Sequence, residues 1–547
     1  MRSRWLTVVG LLACSGGKPE RPPHYIPSVP TDTGADEEDT GTPDTDDPVA
    51  SDLPDWLTGT DVVPCENPAA GVSYEEVGEE LGLMGRVSEV FEHTESGAVS
   101  VADLDSDGDL DIILSFIYEG AWAYFREGDG FIAEELPRTS EFQAMGVVDV
   151  DMDGHLDIAV AGPDPAITTR VDGEWVHTLL PVAEEGDLSS VTKALVPGDI
   201  DNDGDLDLYA VRSSVGPESS RGLDHVYIND GEGNYSLDLT IVPDTEQYRR
   251  GFDAKWFDVD GDGWQDVFVV NERWSAEGPT PGRDGTFLLR NSEGELRRDD
   301  QDCHCELVLD GMGVDITDLN GDGRPDIYVS ASMNNVLLQQ FDDGSYVDVS
   351  LVTGADPLDG TLLTMSWGAL FLDFNNDGLQ DILVAEGDLW HEFSTNPVIV
   401  DLPIDLLQQV ESSSGMSFEA VGAEYGMELY GSWRSIVALD HNGDGLVDPL
   451  ITDVEARPRF FMSQGCTSNG WLRVEAPVHS RVEVRADDRT QVFWVDTHSS
   501  FGAGTQPEVH VGLGATDVVE SLIVDLPTGE RLETSAPFMG RRKVWVR

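Results

Sequence analysis

Residues 103–111, DLDSDGDLD, form a short acidic loop whose pattern recurs along most of the chain. Its first, third, fifth and ninth residues are Asp, its sixth is Gly108, and the apolar residues 112–114 follow at once. The same nine-residue frame begins again at Asp149, Asp199, Asp258, Asp318, Asp373 and Asp440. Seven loops in one frame, called loops 1 to 7 below, indicate an internal repeat rather than chance acidic turns.

The spacing of oxygen-bearing side chains inside each loop is typical of a site for a hard cation. Side chains at alternate positions converge when the backbone coils tightly, and the glycine permits the turn that brings the last carboxylate back. In loops 5 to 7 the third position holds Asn320, Asn375 or Asn442 instead of Asp, and each amide still offers an oxygen. Because calcium accepts about 6–8 oxygens in irregular geometry, we expect Ca²⁺ rather than magnesium, with up to one ion per loop.

The residues after the loops argue against an EF-hand, which begins with the same pattern. An EF-hand needs a Glu at its twelfth position, between two helices. The twelfth residues here are all apolar: Leu114, Val160, Ala210, Val269, Val329, Val384 and Ile451. β-Branched and aliphatic residues predict strands, so each loop is expected to join the first two strands of a sheet. Solvated acidic turns without an ion are the alternative.

The repeat length predicts the architecture. Successive loops start 46, 50, 59, 60, 55 and 67 residues apart, which suits a four-stranded β-propeller blade. We therefore predict an all-β chain with a seven-bladed propeller over residues 61–466. Only two strand-like runs follow loop 7, and Pro449 weakens the first. We expect residues 72–77 to complete the last blade, and a disulfide between Cys65 and Cys466 to clamp the closure.

The region after the propeller has a different pattern. Residues 467–547 lack acidic loops and contain short alternating runs such as RVEVRA and TQVFWVDT. These runs predict a small second β domain.

The N-terminal residues predict export. Arg2 and Arg4 precede a short apolar run that cannot span a bilayer, so residues 1–13 are predicted to be a signal peptide. The run ends before Cys14 and resembles the lipobox of bacterial lipoproteins, which implies lipidation of that cysteine. Ser15 then favours the outer membrane. Whether the protein faces the cell surface or the periplasm is left open by the sequence. An ordinary secretory signal is the alternative.

Residues 14–60 are predicted to form a disordered acidic tether. They are rich in Pro, Thr, Gly and Asp and show no hydrophobic period. A lipid anchor followed by this tether would hold the folded part away from the membrane.

Composition excludes some partners and chemistries. The chain has 547 residues, 105 acidic against 32 basic, and a net charge of -73, which argues against binding nucleic acid. The charge serves either solubility or the recruitment of a cationic partner. Cys303 and Cys305 flank a single residue and predict a local disulfide or two thiols rather than a metal site. His155 and His441 lie within loops and are expected to face solvent.

The loops resemble the FG-GAP, or VCBS, repeats of integrin-α-type propellers. The resemblance implies calcium ligands from the side chains of the first, third, fifth and ninth residues and from the carbonyl of the seventh. Residue by residue, the implied ligands are Asp103, Asp105, Asp107, Asp109, Asp111, Asp149, Asp151, Asp153, His155, Asp157, Asp199, Asp201, Asp203, Asp205, Asp207, Asp258, Asp260, Asp262, Trp264, Asp266, Asp318, Asn320, Asp322, Arg324, Asp326, Asp373, Asn375, Asp377, Leu379, Asp381, Asp440, Asn442, Asp444, Leu446 and Asp448.

The last domain resembles ASPIC/UnbV, through WLRV at 471–474, HVGLG at 510–514 and DLPTG at 525–529. Together with SWG at 366–368 and GMG at 311–313, it makes the chain similar to cartilage-acidic-protein-like proteins. The chain departs from the family in residues 476–480, which are shortened. Loop 7 departs as well, with His441 and Pro449, and its calcium site is expected to be the weakest.

These observations favour an exported, lipid-anchored calcium-binding propeller that acts as a cell-surface adhesion or ligand-binding module. Calcium is structural in this hypothesis, and the partner is an extracellular protein or a glycan met at a rim or the axial mouth of the ring. The alternatives are a calcium-dependent enzyme acting on polysaccharide and a scaffold in an envelope complex. The sequence contains no GxSxG or HExxH motif, so no catalytic residue is predicted.

Overall fold

The chain is described by a computed structural model over residues 53–65, 72–83, 97–116, 120–128, 130–137, 144–182, 190–214, 223–242, 250–272, 285–299, 303–356, 365–387, 402–412, 415–454, 457–534 and 536–547. All of these residues belong to one compact unit, Thr40–Arg547. The predicted signal peptide, Cys14 and most of the predicted tether lie outside the described residues. No helix within the described ranges is both long and apolar enough to cross a membrane.

The regular structure of the first five blades consists of short strands. Two strands precede blade 1: β1 (Leu57–Gly59) and β2 (Ser73–Glu76). Blades 1 to 3 contain β3 (Ala98–Ala102), β4 (Asp111–Phe116), β5 (Gly120–Glu127), β6 (Gly130–Glu135), β7 (Met145–Val148), β8 (Asp157–Val160), β9 (Ala166–Val171), β10 (Glu174–Leu179), β11 (Ser190–Gly198), β12 (Asp207–Ser214), β13 (His225–Ile228) and β14 (Ser236–Asp238). Blades 4 and 5 contain β15 (Gly251–Phe257), β16 (Asp266–Asn271), β17 (Phe287–Ser292), β18 (Glu295–Arg298), β19 (Gly311–Thr317), β20 (Asp326–Ala331), β21 (Val336–Gln340) and β22 (Tyr346–Asp348).

The remaining strands form blades 6 and 7 and the C-terminal domain, with two short helices, α1 (Ser350–Thr353) and the 3-10 turn Gly422–Tyr425. Blades 6 and 7 contain β23 (Met365–Leu372), β24 (Asp381–Gly387), β25 (Leu402–Ser412), β26 (Gly415–Ala420), β27 (Tyr430–Gly431), β28 (Trp433–Leu439), β29 (Asp448–Asp453) and β30 (Arg459–Gln464). The C-terminal domain, called the module below, contains β31 (Gly470–Glu475), β32 (Arg481–Ala486), β33 (Arg489–Trp494), β34 (Ala503–Thr505), β35 (Glu508–Gly514), β36 (Val518–Val519), β37 (Ser521–Asp525), β38 (Arg531–Glu533), β39 (Phe538–Met539) and β40 (Arg542–Val546).

Seven sheets, counted over the described residues, repeat one plan of four antiparallel strands. Each acidic loop joins the first and second strands, as the residues after the loops predicted. The first strands contact one another in chain order, and β28 of blade 7 contacts β3 of blade 1, so the ring is closed. Apolar clusters fill the spaces between neighbouring blades. The predicted all-β, propeller-type fold is confirmed.

Blade 7 takes its outermost strand from the beginning of the described chain. After loop 7 the chain supplies β28, β29 and β30, and β2 pairs antiparallel with β30 from Ser73 opposite Gln464 to Glu76 opposite Phe461. Cys65 and Cys466 form a disulfide beside this junction, with their Cα atoms 5.8 Å apart. Pro449 lies inside β29 and pairs with Ala438.

The module consists of two four-stranded sheets around its own apolar core. One sheet has the order β1-β40-β31-β35 and the other β33-β32-β37-β38. Strand β1, at Leu57–Gly59, lies within the stretch predicted to be tether, but it pairs with β40 and Leu57 is buried in the module core. The strand could not be predicted from the composition of the tether, because only three residues pair with β40.

Candidate functional site: the acidic loops and the channel

Backbone amides hold the first carboxylate of each loop in place. In loop 1 the Asp103 carboxylate accepts hydrogen bonds from the N–H groups of Asp107 and Gly108, each at 3.0 Å. Gly108 has φ +95°, a conformation that favours glycine, and a Cβ there would meet open space. The bond from the sixth residue recurs in the other six loops. The conserved frame in this sequence therefore reflects a common backbone turn that fixes the first carboxylate.

The ninth carboxylate connects the loop to the body of its blade. Asp111 accepts hydrogen bonds from the N–H of Leu104 at 3.0 Å and from the N–H of Arg126, on the third strand, at 2.9 Å. In five other blades the equivalent N–H donors lie in the third strand or directly after it, and they are Asn229, Asn291, Gln340, Gln409 and Ser463. The ninth Asp thus has a structural role in addition to any role as a ligand.

Burial makes the ninth carboxylates costly to ionise without a partner cation. Burial raises the pKa of Asp111 and Asp266 to about 7, and that of Asp157, Asp207 and Asp326 to about 8. Burial also raises the pKa of Asp381 and Asp448 well above its ordinary value. A divalent cation beside these buried carboxylates would stabilise their ionised form, which water cannot do at these positions.

Loops 1 to 4 bring carboxylate oxygens together in the way a cation site needs. Three carboxylates in each loop place one oxygen within 4.8 Å of the others. The sets are Asp103, Asp105 and Asp107; Asp149, Asp151 and Asp157; Asp199, Asp201 and Asp203; Asp258, Asp260 and Asp262. A cluster made only of oxygen donors fits a hard cation such as calcium.

Loops 5 to 7 use an amide at the third position. Its nitrogen donates to the fifth carboxylate: Asn320 to Asp322 at 2.8 Å, Asn375 to Asp377 at 3.0 Å and Asn442 to Asp444 at 2.9 Å. The amide and carboxylate therefore lie side by side, as the ligand pattern requires. The seventh residues share no side-chain chemistry, being Asp109, His155, Asp205, Trp264, Arg324, Leu379 and Leu446. Only the backbone carbonyl is common to that position, so it is the group that could serve as a ligand in every loop.

The two loop histidines have different surroundings. His155 is exposed, and its Nδ1 lies 2.9 Å from Ser106 Oγ of loop 1. His441 is buried, and its ring packs between Phe131 and Phe460 with centroid distances of 5.4 and 5.3 Å. The expectation that His441 faces solvent was wrong, because the apolar position at which it stands points into the contact between blades 7 and 1.

The module packs on the loops of blades 6 and 7. His510 Nε2 lies 2.7 Å from Asn376 Oδ1, and the N–H of Gly514 donates to the Asn376 carbonyl at 3.0 Å. Arg473 Nη1 lies 3.2 Å from Asp440 Oδ2, the first carboxylate of loop 7. These loops therefore serve as a docking surface as well as candidate cation sites, which the sequence did not predict.

Residues 496–506 of the module, called the channel segment below, lie among the first strands of the blades. Strand β34 pairs in parallel with β3, Val99 opposite Ala503. Ser435 donates to the Phe501 carbonyl at 2.6 Å, and the Phe501 ring packs on Trp367 and Phe252. This segment therefore lies inside the ring, against the first strands of blades 1, 4, 6 and 7.

A buried ion-pair cluster accompanies the channel segment. Lys255 of β15 lies 3.1 Å from Asp315 and 3.3 Å from Asp496, and it donates to the His498 carbonyl. Although burial opposes its charge, these carboxylates raise the pKa of Lys255 above its ordinary value. His498 in turn contacts Asp253 at 2.5 Å. The sequence did not predict this cluster, because its members are scattered over β15, β19 and the module.

The second cysteine pair is also joined. Cys303 and Cys305 form a disulfide, and both are buried in the cluster between blades 4 and 5. This placement favours a structural role over metal binding.

Residues 103–160, 199–269 and 310–384 match a model of the FG-GAP-like repeat, and these stretches include loops 1 to 6. Residues 476–542 match a model described as ASPIC and UnbV. No curated protein matches the chain.

Two solved structures are similar to the chain at low identity. An Agrocybe aegerita lectin, described as recognising non-reducing terminal N-acetylglucosamine, is 15% identical, with coverage of 66% of this chain and 87% of its own and a TM-score of 0.39. BBS1N, in complex with ARL6DN, is 11% identical, with coverage of 69% and 96% and a TM-score of 0.40. Neither score adds to the fold that the sheets themselves show.

FG-GAP-like repeat proteins are typically extracellular or associated with the cell envelope, and this architecture fits an extracellular ligand-binding or adhesion-type module. The matches cover six of the seven acidic loops and most of the module, which belong to the two parts distinguished by strand topology. The chain is a β-propeller with FG-GAP-like repeats and a C-terminal ASPIC and UnbV domain.

Proposed function

We propose that this protein is an exported, lipid-anchored propeller whose loops bind calcium and which binds an extracellular protein or glycan at the cell surface. Calcium is structural in this proposal: it neutralises each loop and joins the first two strands of a blade. The observation that carries it is the convergence of carboxylate oxygens on a turn whose backbone amides already hold the first and ninth Asp.

The energetic contribution follows from linkage. Extracellular calcium modules bind with dissociation constants of about 0.1–1 mM. At about 1 mM calcium and a dissociation constant near 0.1 mM, each site stabilises the fold by about 1.4 kcal/mol. Several sites together are comparable with a typical stability of about 5–15 kcal/mol, so calcium decides whether the propeller persists.

The exposed loops of blades 1 to 4 support a position for ligand binding. Asp105, Asp107, Asp260 and Asp262 are exposed, whereas the module covers the equivalent face of blades 6 and 7. Bound calcium with a free coordination position would present a cation to an acidic protein side chain or a glycan hydroxyl. The uncovered arc of loops is therefore the surface that we assign to the ligand.

The enzyme alternative gains little from the cavity between the propeller and the module. Its volume is about 160 Å³, and its lining includes Lys255, Asp496 and His510. Small-molecule sites usually measure about 300–1,000 Å³. Incubation of the protein with polysaccharides in calcium, followed by analysis of chain length, tests the alternative directly.

The first experiment measures calcium stoichiometry and thermal unfolding of the chain from Leu53 to Arg547, which retains β1. We expect several bound ions, near one per loop, and a large fall in Tm when a chelator removes calcium while magnesium keeps the ionic strength constant. Restoring calcium should restore the Tm. Absence of bound calcium together with an unchanged Tm would refute the proposal.

Export and ligand binding need separate tests. Cys14→Ser should release the protein from the membrane fraction, with Cys303→Ser as a control for cysteine loss. A protein or glycan ligand should bind in calcium and dissociate with chelator under conditions where the propeller stays folded.

A further inference from the structure

Asp440, the first residue of loop 7, has one carboxylate oxygen fully engaged and one without a partner. Oδ2 accepts hydrogen bonds from the N–H of Gly445 at 3.0 Å and from Arg473 Nη1 at 3.2 Å. Oδ1 is buried and has no hydrogen-bond partner among the described residues. The residue is only 7% exposed. Burying a carboxylate oxygen without a partner costs free energy, and a bound cation at this atom would offset that cost.

The other loops show what is missing. In loops 1 and 6 the corresponding oxygen accepts the N–H of the fifth residue, Asp107 or Asp377, each at 3.0 Å. In loop 7 the N–H of the fifth residue, Asp444, donates instead to Asn442 Oδ1 at 3.0 Å. Asp440 Oδ1 therefore points into the loop with no amide to satisfy it.

Arg473 belongs to a charge cluster in the module. Its Nε lies 2.5 Å from Glu508, and Lys543 lies 2.8 Å from Glu508 and 2.7 Å from Glu475. Two cations thus face three carboxylates when Asp440 is included, which leaves one negative charge. The positive charge of Arg473 is largely neutralised by Glu508, so it does not exclude a further cation on the opposite oxygen of Asp440.

The module also covers the loop. A Cβ at Gly445 would lie 1.9 Å from Cε2 of Trp471, so the indole ring packs directly on this glycine. Asn376 of loop 6 donates to the Gly445 carbonyl at 2.9 Å from the other side. Loop 7 is therefore enclosed by the module and by its neighbouring loop.

We propose that loop 7 holds a calcium ion on Asp440 Oδ1, that Arg473 positions this carboxylate through Oδ2, and that the ion enters and leaves only when the module lifts from blade 7. The inference rests on the proposed calcium binding of the repeats. Arg473 is a positioning residue, because it acts through Asp440 rather than on the ion. Loop 7 is then the slowest site to exchange, not the weakest, despite His441 and Pro449.

The test uses the full chain loaded with calcium and measures both the number of ions and their rates of release into excess chelator. We expect a fast class of ions and a slow class. Asp440→Asn should remove one slow ion. Arg473→Gln should weaken one site by roughly 10–100-fold, as loss of a group that orients a ligand does, and move its ion from the slow to the fast class.

Matched variants separate this effect from general damage. Asp103→Asn changes the same position in loop 1 and should remove one fast ion. Arg290→Gln removes an arginine that pairs with Asp260 of loop 4 and should leave the slow class intact. Arg473→Lys keeps the charge but not the fork geometry and should restore slow release in part.

Hydrogen exchange gives a readout that needs no variant. In the wild type, the opening rate that hydrogen exchange gives for the amides of β31 and β35 should equal the release rate of the slow ion. Chelation of calcium should make these amides exchange faster. If Asp440→Asn leaves the ion count unchanged, Arg473 itself serves as the cation of loop 7 and the inference fails while the proposed function stands. Slow release that is independent of Arg473 also overturns it. A wild type that binds no calcium instead refutes the proposed function.

Discussion

Lys255 of blade 4 and Asp496 of the channel segment form an ion pair of 3.3 Å inside the ring. Asp315 of blade 5 completes the cluster at 3.1 Å, and all three groups are buried. The pair links the module to the first strands of two blades, at a place where water cannot replace a lost partner.

Lys255→Met should destabilise the protein by about 3–5 kcal/mol, because it leaves two buried carboxylates without their cation. Chemical denaturation in saturating calcium measures the change. Arg297→Met serves as the control, since that arginine pairs with Glu295 on the surface at 2.6 Å with both side chains largely exposed. A loss for Lys255→Met no larger than for the control would contradict the prediction.

Phe501→Ala tests the packing of the channel segment. The ring is 5% exposed and packs with Phe252, Met312 and Trp367. Its removal leaves a cavity in a region that cannot collapse, so we expect a loss of about 3–5 kcal/mol and faster proteolysis of the module. Phe341→Ala, at a ring 45% exposed, should change stability little. Equal effects of the two substitutions would show that the channel packing is unimportant.

The disulfide between Cys65 and Cys466 should stabilise the closed ring by restricting the unfolded chain. The two cysteines are 401 residues apart in sequence, whereas Cys303 and Cys305 are 2 apart. Because loop-closure entropy grows with loop length, Cys466→Ser should cost about 2–5 kcal/mol. The double variant Cys303→Ser, Cys305→Ser should cost much less on the entropic account. Thermal unfolding without reductant compares them, and the opposite order would argue that strain or local packing dominates.

His479 gives a specific dependence on pH. Burial lowers the pKa of His479 from 6.5 to about 4. Below pH 6.5 the unfolded chain binds a proton that the folded protein does not, so this residue reduces stability progressively as the pH falls from 6.5 to about 4. The full loss is about 3 kcal/mol, and above pH 6.5 it is absent.

The measurement compares the wild type with His479→Asn in saturating calcium at several pH values. Asn does not titrate and tolerates the φ of +68° at this position. We expect the difference in unfolding free energy between the two proteins to be constant above pH 6.5 and to shift in favour of the variant toward pH 4. A difference that does not vary with pH would mean that the His479 pKa is unperturbed.

The blades could be predicted from sequence because their signals are local. The acidic loop, the glycine at its sixth position and the aliphatic run that follows lie within a dozen residues, so one pattern gives the turn and the strand after it. The position of β2 could be predicted as well. Only two strand-like runs follow loop 7, so the last blade needs a strand from elsewhere to pair with its edge.

The contacts of the module could not be predicted, because they depend on how two folded surfaces meet. Arg473 lies in a strand-like run whose pattern shows only that its side chain alternates with apolar neighbours. Its pairing with Asp440, like that of Lys255 with Asp496, joins residues with no periodic relation in sequence. The short strand β1 was missed for a related reason: its three residues form a sheet edge only because β40 lies beside them.

The pairing of β1 with β40, in which Leu57 lies opposite Val546, has a consequence for the time at which the chain can fold. The earliest described strand cannot reach its place until the last one has been made, and β2 likewise waits for β30. Contacts of such long range form slowly, so the module sheet that holds β1 is completed only after the last described strand has been made.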